Sequence, residues 1–139
     1  MSDSPAELAS EVHIVVIENS PYDALLIREA LDLWIRPRRL TFYQNGPEAL
    51  AGLRQLAENP VGPTLVLLDW NLSGMHGSNI LREIRQEPAL EKCFLVVLTS
   101  SSSETDRQLA ANLGANRFVT KSIAMDDFFY SLVELQELV

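Results

Sequence analysis

Six consecutive residues, Thr64-Leu65-Val66-Leu67-Leu68-Asp69, make an apolar run between Pro63 and Gly74 that stops abruptly on a carboxylate. A β-branched and aliphatic run of this length predicts a strand buried on both faces. Asp69 then stands at its C-terminal lip, the edge outside which open α/β sheets bind their ligands. On this stretch alone two readings of Asp69 stand open, a cap for the following loop and a functional acid.

The same device recurs along the chain. His13-Ile14-Val15-Val16-Ile17 reads as a strand ending on Glu18-Asn19, Leu40-Thr41-Phe42-Tyr43-Gln44 as a second, Phe94-Leu95-Val96-Val97-Leu98 as one ending on Thr99, and Arg117-Phe118-Val119-Thr120 as one ending on Lys121. Between them run helical periods. Ser20 before Pro21 predicts a capped start for a helix with Ile27, Ala30, Leu31 and Trp34 inward. A second helix spans residues 45–59 with Leu50, Leu53 and Ala57 inward, and a third carries Gly77, Ile80, Leu81 and Ile84 and ends at Pro88. Ser102 or Ser103 caps a fourth, with Leu109, Ala110 and Leu113 inward and Gly114 just past its end, while Met125, Phe128, Phe129 and Leu132 share a face of the fifth. Strands alternating with helices imply a parallel sheet with right-handed crossovers and helices on both faces.

Charge and composition narrow the function. A formal net charge of -8 argues against a surface for nucleic acid, and the one dense basic cluster, Ile35 to Arg39, reads as a solvated connection before the second strand. The single Cys93 cannot close an internal disulfide, no secretory signal or membrane-length apolar run is present, and a cytoplasmic protein is expected. Residues 1–11 read as a flexible arm ahead of a single domain over residues 12–139. His13, at the start of its strand, reads as structural.

Parallel wiring sends every strand's C-terminal end to one edge and so gathers Glu18, Asn19, Asp69, Thr99 and Lys121. Two carboxylates are hard oxygen donors suited to Mg²⁺, Lys121 is a positive point charge and Thr99 a hydroxyl donor. An aspartate can attack phosphorus when such groups neutralise the oxygens that gain charge.

In these residues, and in Ile17-Glu18-Asn19, Leu68-Asp69-Trp70-Asn71-Leu72-Ser73-Gly74-Met75-His76-Gly77, Val97-Leu98-Thr99-Ser100 and Phe118-Val119-Thr120-Lys121, the chain resembles the CheY-like receiver domains of two-component response regulators. The resemblance implies a doubly wound, flavodoxin-like α/β fold with strand order 2-1-3-4-5 and no output domain. It implies that Asp69 accepts a phosphoryl group from a histidine kinase and that Glu18, Asp69, the Asn71 carbonyl and, weakly, Asn19 hold Mg²⁺. Thr99 and Phe118 fall on the switch pair and Lys121 on the lysine that meets the phosphoryl group. The loop Asp69-Trp70-Asn71-Leu72-Ser73 is similar to that of small regulators paired with bacterial phytochromes, which makes a phytochrome kinase the expected partner. A homodimer through the fourth helix, fifth strand and fifth helix is a further expectation, since Phe128, Phe129 and Tyr130 offer more apolar surface than one sheet face needs.

Three positions depart from the family pattern. Asn19 stands where the second acid is usual, so Mg²⁺ binding is expected to be weak, in roughly the millimolar range. Ser122 replaces the usual proline after the lysine, where a cis bond would cost about 2.5–4 kcal/mol, so a trans bond and a shifted Lys121 are expected. Ser73 replaces a loop proline. These departures leave an alternative, a pseudo-receiver that binds partners without phosphorylation. An aspartyl-phosphate hydrolase is a third reading, disfavoured because Asn71 stands where such enzymes carry their second acid.

Overall fold

Five strands, β1 (Val12–Ile17), β2 (Arg38–Tyr43), β3 (Thr64–Asp69), β4 (Phe94–Thr99) and β5 (Arg117–Thr120), pair in parallel in the order β2-β1-β3-β4-β5. They are seen in a computed structural model that describes residues 11–60, 62–72, 74–121 and 125–139, with only the backbone of Met125. Residues 1–10 of the expected N-terminal arm, Ser73 and the bond from Lys121 to Ser122 therefore lie outside the described residues.

Five helices connect and follow the strands: α1 (Pro21–Leu31), α2 (Gly46–Glu58), α3 (Gly77–Gln86), α4 (Glu104–Asn112) and α5 (Met125–Glu134). The period-2 alternation of the central strands decides which helix packs where. Ile14, Val16, Leu65, Leu67, Val96 and Leu98 face α1 and α5 through Ile27, Leu31, Phe128 and Leu132. Val15, Ile17, Val66, Leu68 and Val97 face α2, α3 and α4 through Leu50, Leu53, Ile80, Leu81, Ile84 and Ala110.

Helix starts follow the capping chemistry. Ser20, Asn45 and Ser103 each accept the backbone N–H of the residue three positions on, and Pro21 and Pro47 stand in the first turns of α1 and α2. Of the two candidate serines before α4, the cap is Ser103. At α3 the cap is His76, whose Nδ1 accepts the Ser78 N–H, a residue outside the usual capping set. Gly114 ends α4 with φ +105°, a conformation that a side chain would strain.

Four expectations are corrected. Trp34 lies past the end of α1, because the N–H groups of Leu33 and Trp34 bond to Ala30 and Leu31, tightening the chain into a turn; its ring is still buried and donates to the Leu132 carbonyl at 3.0 Å. Arg38 and Arg39 belong to β2, where they pair with Val12 and His13 of β1, and Arg38 reaches back to the carbonyls of Trp34 and Asp32. Leu109 points outward at 38% exposure, leaving Ala110 as the buried residue of α4. In α5, Phe128 is core at 3% exposure and Phe129 is half-buried, so Tyr130 is the aromatic of that helix left largely in solvent. His13 is structural as expected, buried and in hydrogen-bond contact with the Thr41 hydroxyl at 3.1 Å. Among the described residues no helix is long and apolar enough to cross a membrane.

Candidate functional site

Strand register builds the site. Ile17 pairs with Leu68, Asp69 with Leu98 and Thr99 with Thr120, so the residues that end or follow these strands fall side by side. Glu18 continues the ladder by donating its N–H to the Tyr43 carbonyl at 3.0 Å, and the Lys121 N–H is held by the Thr99 carbonyl at 2.6 Å. Glu18, Asp69 and Thr99 are buried despite their polarity. Buried acids need partners, and these find theirs in one ammonium group.

The Lys121 Nζ stands 2.8 Å from Glu18 Oε1, 2.9 Å from Asp23 Oδ2 and 3.4 Å from Asp69 Oδ1. Burial pulls the lysine's pKa down, but hydrogen bonds to Glu18 and Asp23 and the charges of Glu18 and Asp69 outweigh it and hold the ammonium above its ordinary value. Burial and the hydrogen bond to Asp69 push Glu18 up to about 7 against the pull of Lys121. Two carboxyl groups that share a hydrogen bond in a buried place favour a proton or a cation between them.

Asp69 is also a loop cap. Its Oδ1 accepts the Asn71 N–H at 3.1 Å, the turn geometry expected of an aspartate at a strand end. The Asn71 side chain in turn accepts the Thr99 hydroxyl at 3.2 Å, and Thr99 Oγ1 accepts the Ser101 N–H at 3.0 Å. Thr99 is thus parked on Asn71. Phe118 lies half-buried on β5 beside Val97, with the Arg107 guanidinium 4.9 Å over its ring. Asn19 stands half-buried next to Glu18.

Sequence reasoning brought Glu18, Asn19, Asp69, Thr99 and Lys121 to one edge, and the structure places them there; it missed Asp23. An acid in the first turn of a helix has a sufficient local explanation in the helix dipole. The signal that could have found it was position, because α1 starts at the C-terminal edge of β1.

Among the described residues no three His, Cys, Asp or Glu side chains stand together in a geometry that could hold a metal ion. The acids brought closest to one another are Glu18 and Asp69, and Asn19, which follows Glu18 in the chain, carries an amide and no charge. The chemistry of the donors suits a divalent cation, since Glu18 and Asp69 are hard oxygen donors that already meet on one positive charge, 2.8 and 3.4 Å from the Lys121 Nζ. A separate cavity of about 330 Å³ at the other end of the sheet is lined by Leu53, Leu56, Pro63, Leu90 and Cys93, where burial pushes the thiol's pKa up. It carries no comparable group of acids and bases.

Residues 14–132 match the response regulator receiver domain family. The chain is 36% identical over 118 residues to the response regulator Rcp1 of Synechocystis sp., covering 84% of this chain and 80% of that protein. The crystal structure of Mn²⁺-bound Rcp1 superposes with a TM-score of 0.77 at 33% identity, over 90% of this chain and 91% of that one. That of the phosphorylated cyanobacterial phytochrome response regulator RcpA does so with 0.80 at 34% identity, over 91% of each chain.

Proposed function

This chain belongs to the family of response regulator receiver domains, and on that premise we propose that it accepts a phosphoryl group on Asp69 from the phosphohistidine of a sensor histidine kinase. The observation that carries the reading is the half-buried Lys121 ammonium, 3.4 Å from the Asp69 carboxylate. In the transfer an Asp69 carboxylate oxygen forms a bond to phosphorus while the bond from phosphorus to the histidine nitrogen breaks, its electron pair staying with the imidazole. Lys121 lies where the phosphoryl oxygens gain charge, and Thr99 has a hydroxyl that leaves Asn71 to donate to them.

Mg²⁺, held by Glu18, Asp69 and the Asn71 carbonyl with a weak contribution from Asn19, would supply charge neutralisation to the same oxygens. The Mn²⁺-bound relative supports a divalent metal here. A phytochrome is the kinase we infer, because a relative that covers nine-tenths of the chain is a phytochrome response regulator. The protein acts as an acceptor that helps its own phosphorylation, without turnover of a substrate. Movement of Thr99 and Phe118 would be read on the face made by α4, β5 and α5, where Leu109 and Tyr130 are exposed to a partner or a second copy.

The test is the mass of the protein after incubation with a small phosphodonor, with and without Mg²⁺. One acid-labile phosphoryl group that requires Mg²⁺ and disappears in Asp69→Asn is expected. Folded protein with unchanged mass in the presence of Mg²⁺ refutes the proposal. In that case partner affinity that survives Asp69→Asn would establish the phosphorylation-independent interaction module.

A further inference from the structure

A lysine ammonium has three N–H donors and no acceptor. All three donors of Lys121 face carboxylates, those of Glu18, Asp23 and Asp69. Glu18 and Asp69 are also the groups that a cation and a phosphoryl group would claim. Asp23 is the acceptor that neither takes away.

Its place on the fold suits a fixed anchor. Asp23 lies in the first turn of α1, where Pro21 sets the backbone and Ser20 Oγ accepts the Asp23 N–H at 3.3 Å. The side chain is at the rim, 27% exposed, while that of Lys121 is 14% exposed and reaches inward past it. A lysine carries its charge on a flexible four-carbon stem, so its position over Asp69 must be imposed by partners.

We propose that Asp23 is a positioning residue that anchors the Lys121 ammonium while its other two N–H groups pass from Glu18 and Asp69 to the oxygens of the incoming phosphoryl group. The inference rests on the reading of Asp69 as the phosphoacceptor and adds to it the group that keeps the lysine in place once its inner partners are engaged. A rim ion pair is worth less than a buried one, so the effect is moderate: loss of Asp23 slows phosphoryl transfer roughly three- to tenfold.

The experiment measures the rate of Asp69 phosphorylation by phosphoramidate at saturating Mg²⁺ in the wild type, Asp23→Asn, Asp23→Glu, Lys121→Met and the Asp23→Asn/Lys121→Met double variant. Asp23→Asn is expected to be slower by that factor, Asp23→Glu to recover part of the loss, and Asp23→Asn to cost nothing further once Lys121 is gone. Asp23→Asn keeps the Ser20 cap, which bonds to its backbone, and thermal melting checks that the variants are folded. If Asp23→Asn melts early, Asp23→Glu against the wild type carries the comparison, and a rate at or below that of Asp23→Asn overturns the role. An undiminished rate in Asp23→Asn, or the same fractional loss with and without Lys121, overturns it also. A wild type that gains no phosphoryl group defeats the acceptor reading itself and the positioning role with it, whereas a reactive wild type beside an unaffected Asp23→Asn defeats the positioning role alone.

Discussion

Gly77→Ala tests how tightly α3 is seated against the end of β3. Gly77 opens α3, and its N–H bonds to the Trp70 carbonyl at 2.9 Å. A methyl group there would lie 2.8 Å from Trp70 Cα and 2.9 Å from the Asp69 carbonyl oxygen. Carbon atoms in contact settle at about 3.5–4.0 Å, so close to 1 Å must be found. Both neighbours are backbone and cannot rotate aside. Alanine gains at most about 1 kcal/mol over glycine in a helix, and less in the first turn, against an overpacking cost of about 1–3 kcal/mol. The expected net loss is roughly 1–2 kcal/mol, read as a lower urea midpoint at unchanged slope. Because the displaced backbone carries Asp69, phosphorylation should fall by more than stability explains; a misplacement of about 1 Å at a reacting group can cost on the order of a hundredfold. Gly52→Ala is the control. There a methyl group meets the Tyr43 hydroxyl and, at 2.6 Å, its Cζ, the far end of a half-buried side chain that can swing away, and the site is inside α2. Its net effect should be near zero. Wild-type stability and rate in Gly77→Ala, or greater damage from Gly52→Ala, would refute this reasoning.

Burial first, and then Arg39, lower the pKa of His13 below its ordinary 6.5, with Glu11 opposing. As pH falls below that value the unfolded chain takes up a proton before the folded one does, so the stability His13 contributes is complete above it and is lost on acidification. Glu18, raised from 4.5 to about 7, acts in the opposite sense, costing stability as pH rises through that window. The clean measurement is therefore the difference between wild type and His13→Gln, which should shrink as pH falls from 7 towards 5; a difference independent of pH rejects the assignment. Arg85 donates to the carbonyls of Gly114 at 2.9 Å and Glu91 at 3.2 Å and to Asn116 Oδ1 at 2.9 Å, tying the end of α3 to the turn before β5. Arg85→Met keeps the apolar stem and should lose about 2 kcal/mol in urea unfolding, and an unchanged midpoint would show that these bonds contribute nothing net. Asn19→Asp adds a carboxylate beside Glu18 and should tighten Mg²⁺ binding by about tenfold in a calorimetric titration, where equal affinities would dismiss the weakening assigned to Asn19.

What the residue pattern revealed and what it hid divide along a physical line. Strands whose apolar runs stop on polar residues were legible, because burial and strand end are both written locally, and once the wiring was parallel the site edge followed. Features decided by tertiary contact were not. Trp34 keeps the helical spacing of Ile27 and Leu31 yet sits in a turn, held by a carbonyl of α5 nearly a hundred positions away. Leu109 has the right period for the core, but the small Ala110 meets the sheet and leaves Leu109 outside. His76 caps α3 through a ring nitrogen that capping preferences do not anticipate. Asp23 was hidden for a different reason, since a local role at the helix start explained it before any partner was sought.

The cap observed at Asp69 is compatible with the proposed acceptor role and would serve it. The bond from the Asn71 N–H to Oδ1 fixes the carboxylate's rotation, so the loop cap orients the acid beside Lys121. The electrostatics then explain what Asn19 does. Glu18, Asp23 and Asp69 already face a single ammonium, and Glu18 relieves the excess by keeping a proton to about pH 7. An acid at position 19 would add a further negative charge to this crowd and push Glu18 higher still in the metal-free protein. The amide spares the acids that repulsion but offers a divalent cation one charge fewer. An amide at position 19 is therefore expected to ease the folded state at the expense of metal affinity, and Asn19→Asp should show both effects together, tighter Mg²⁺ binding and lower stability without it.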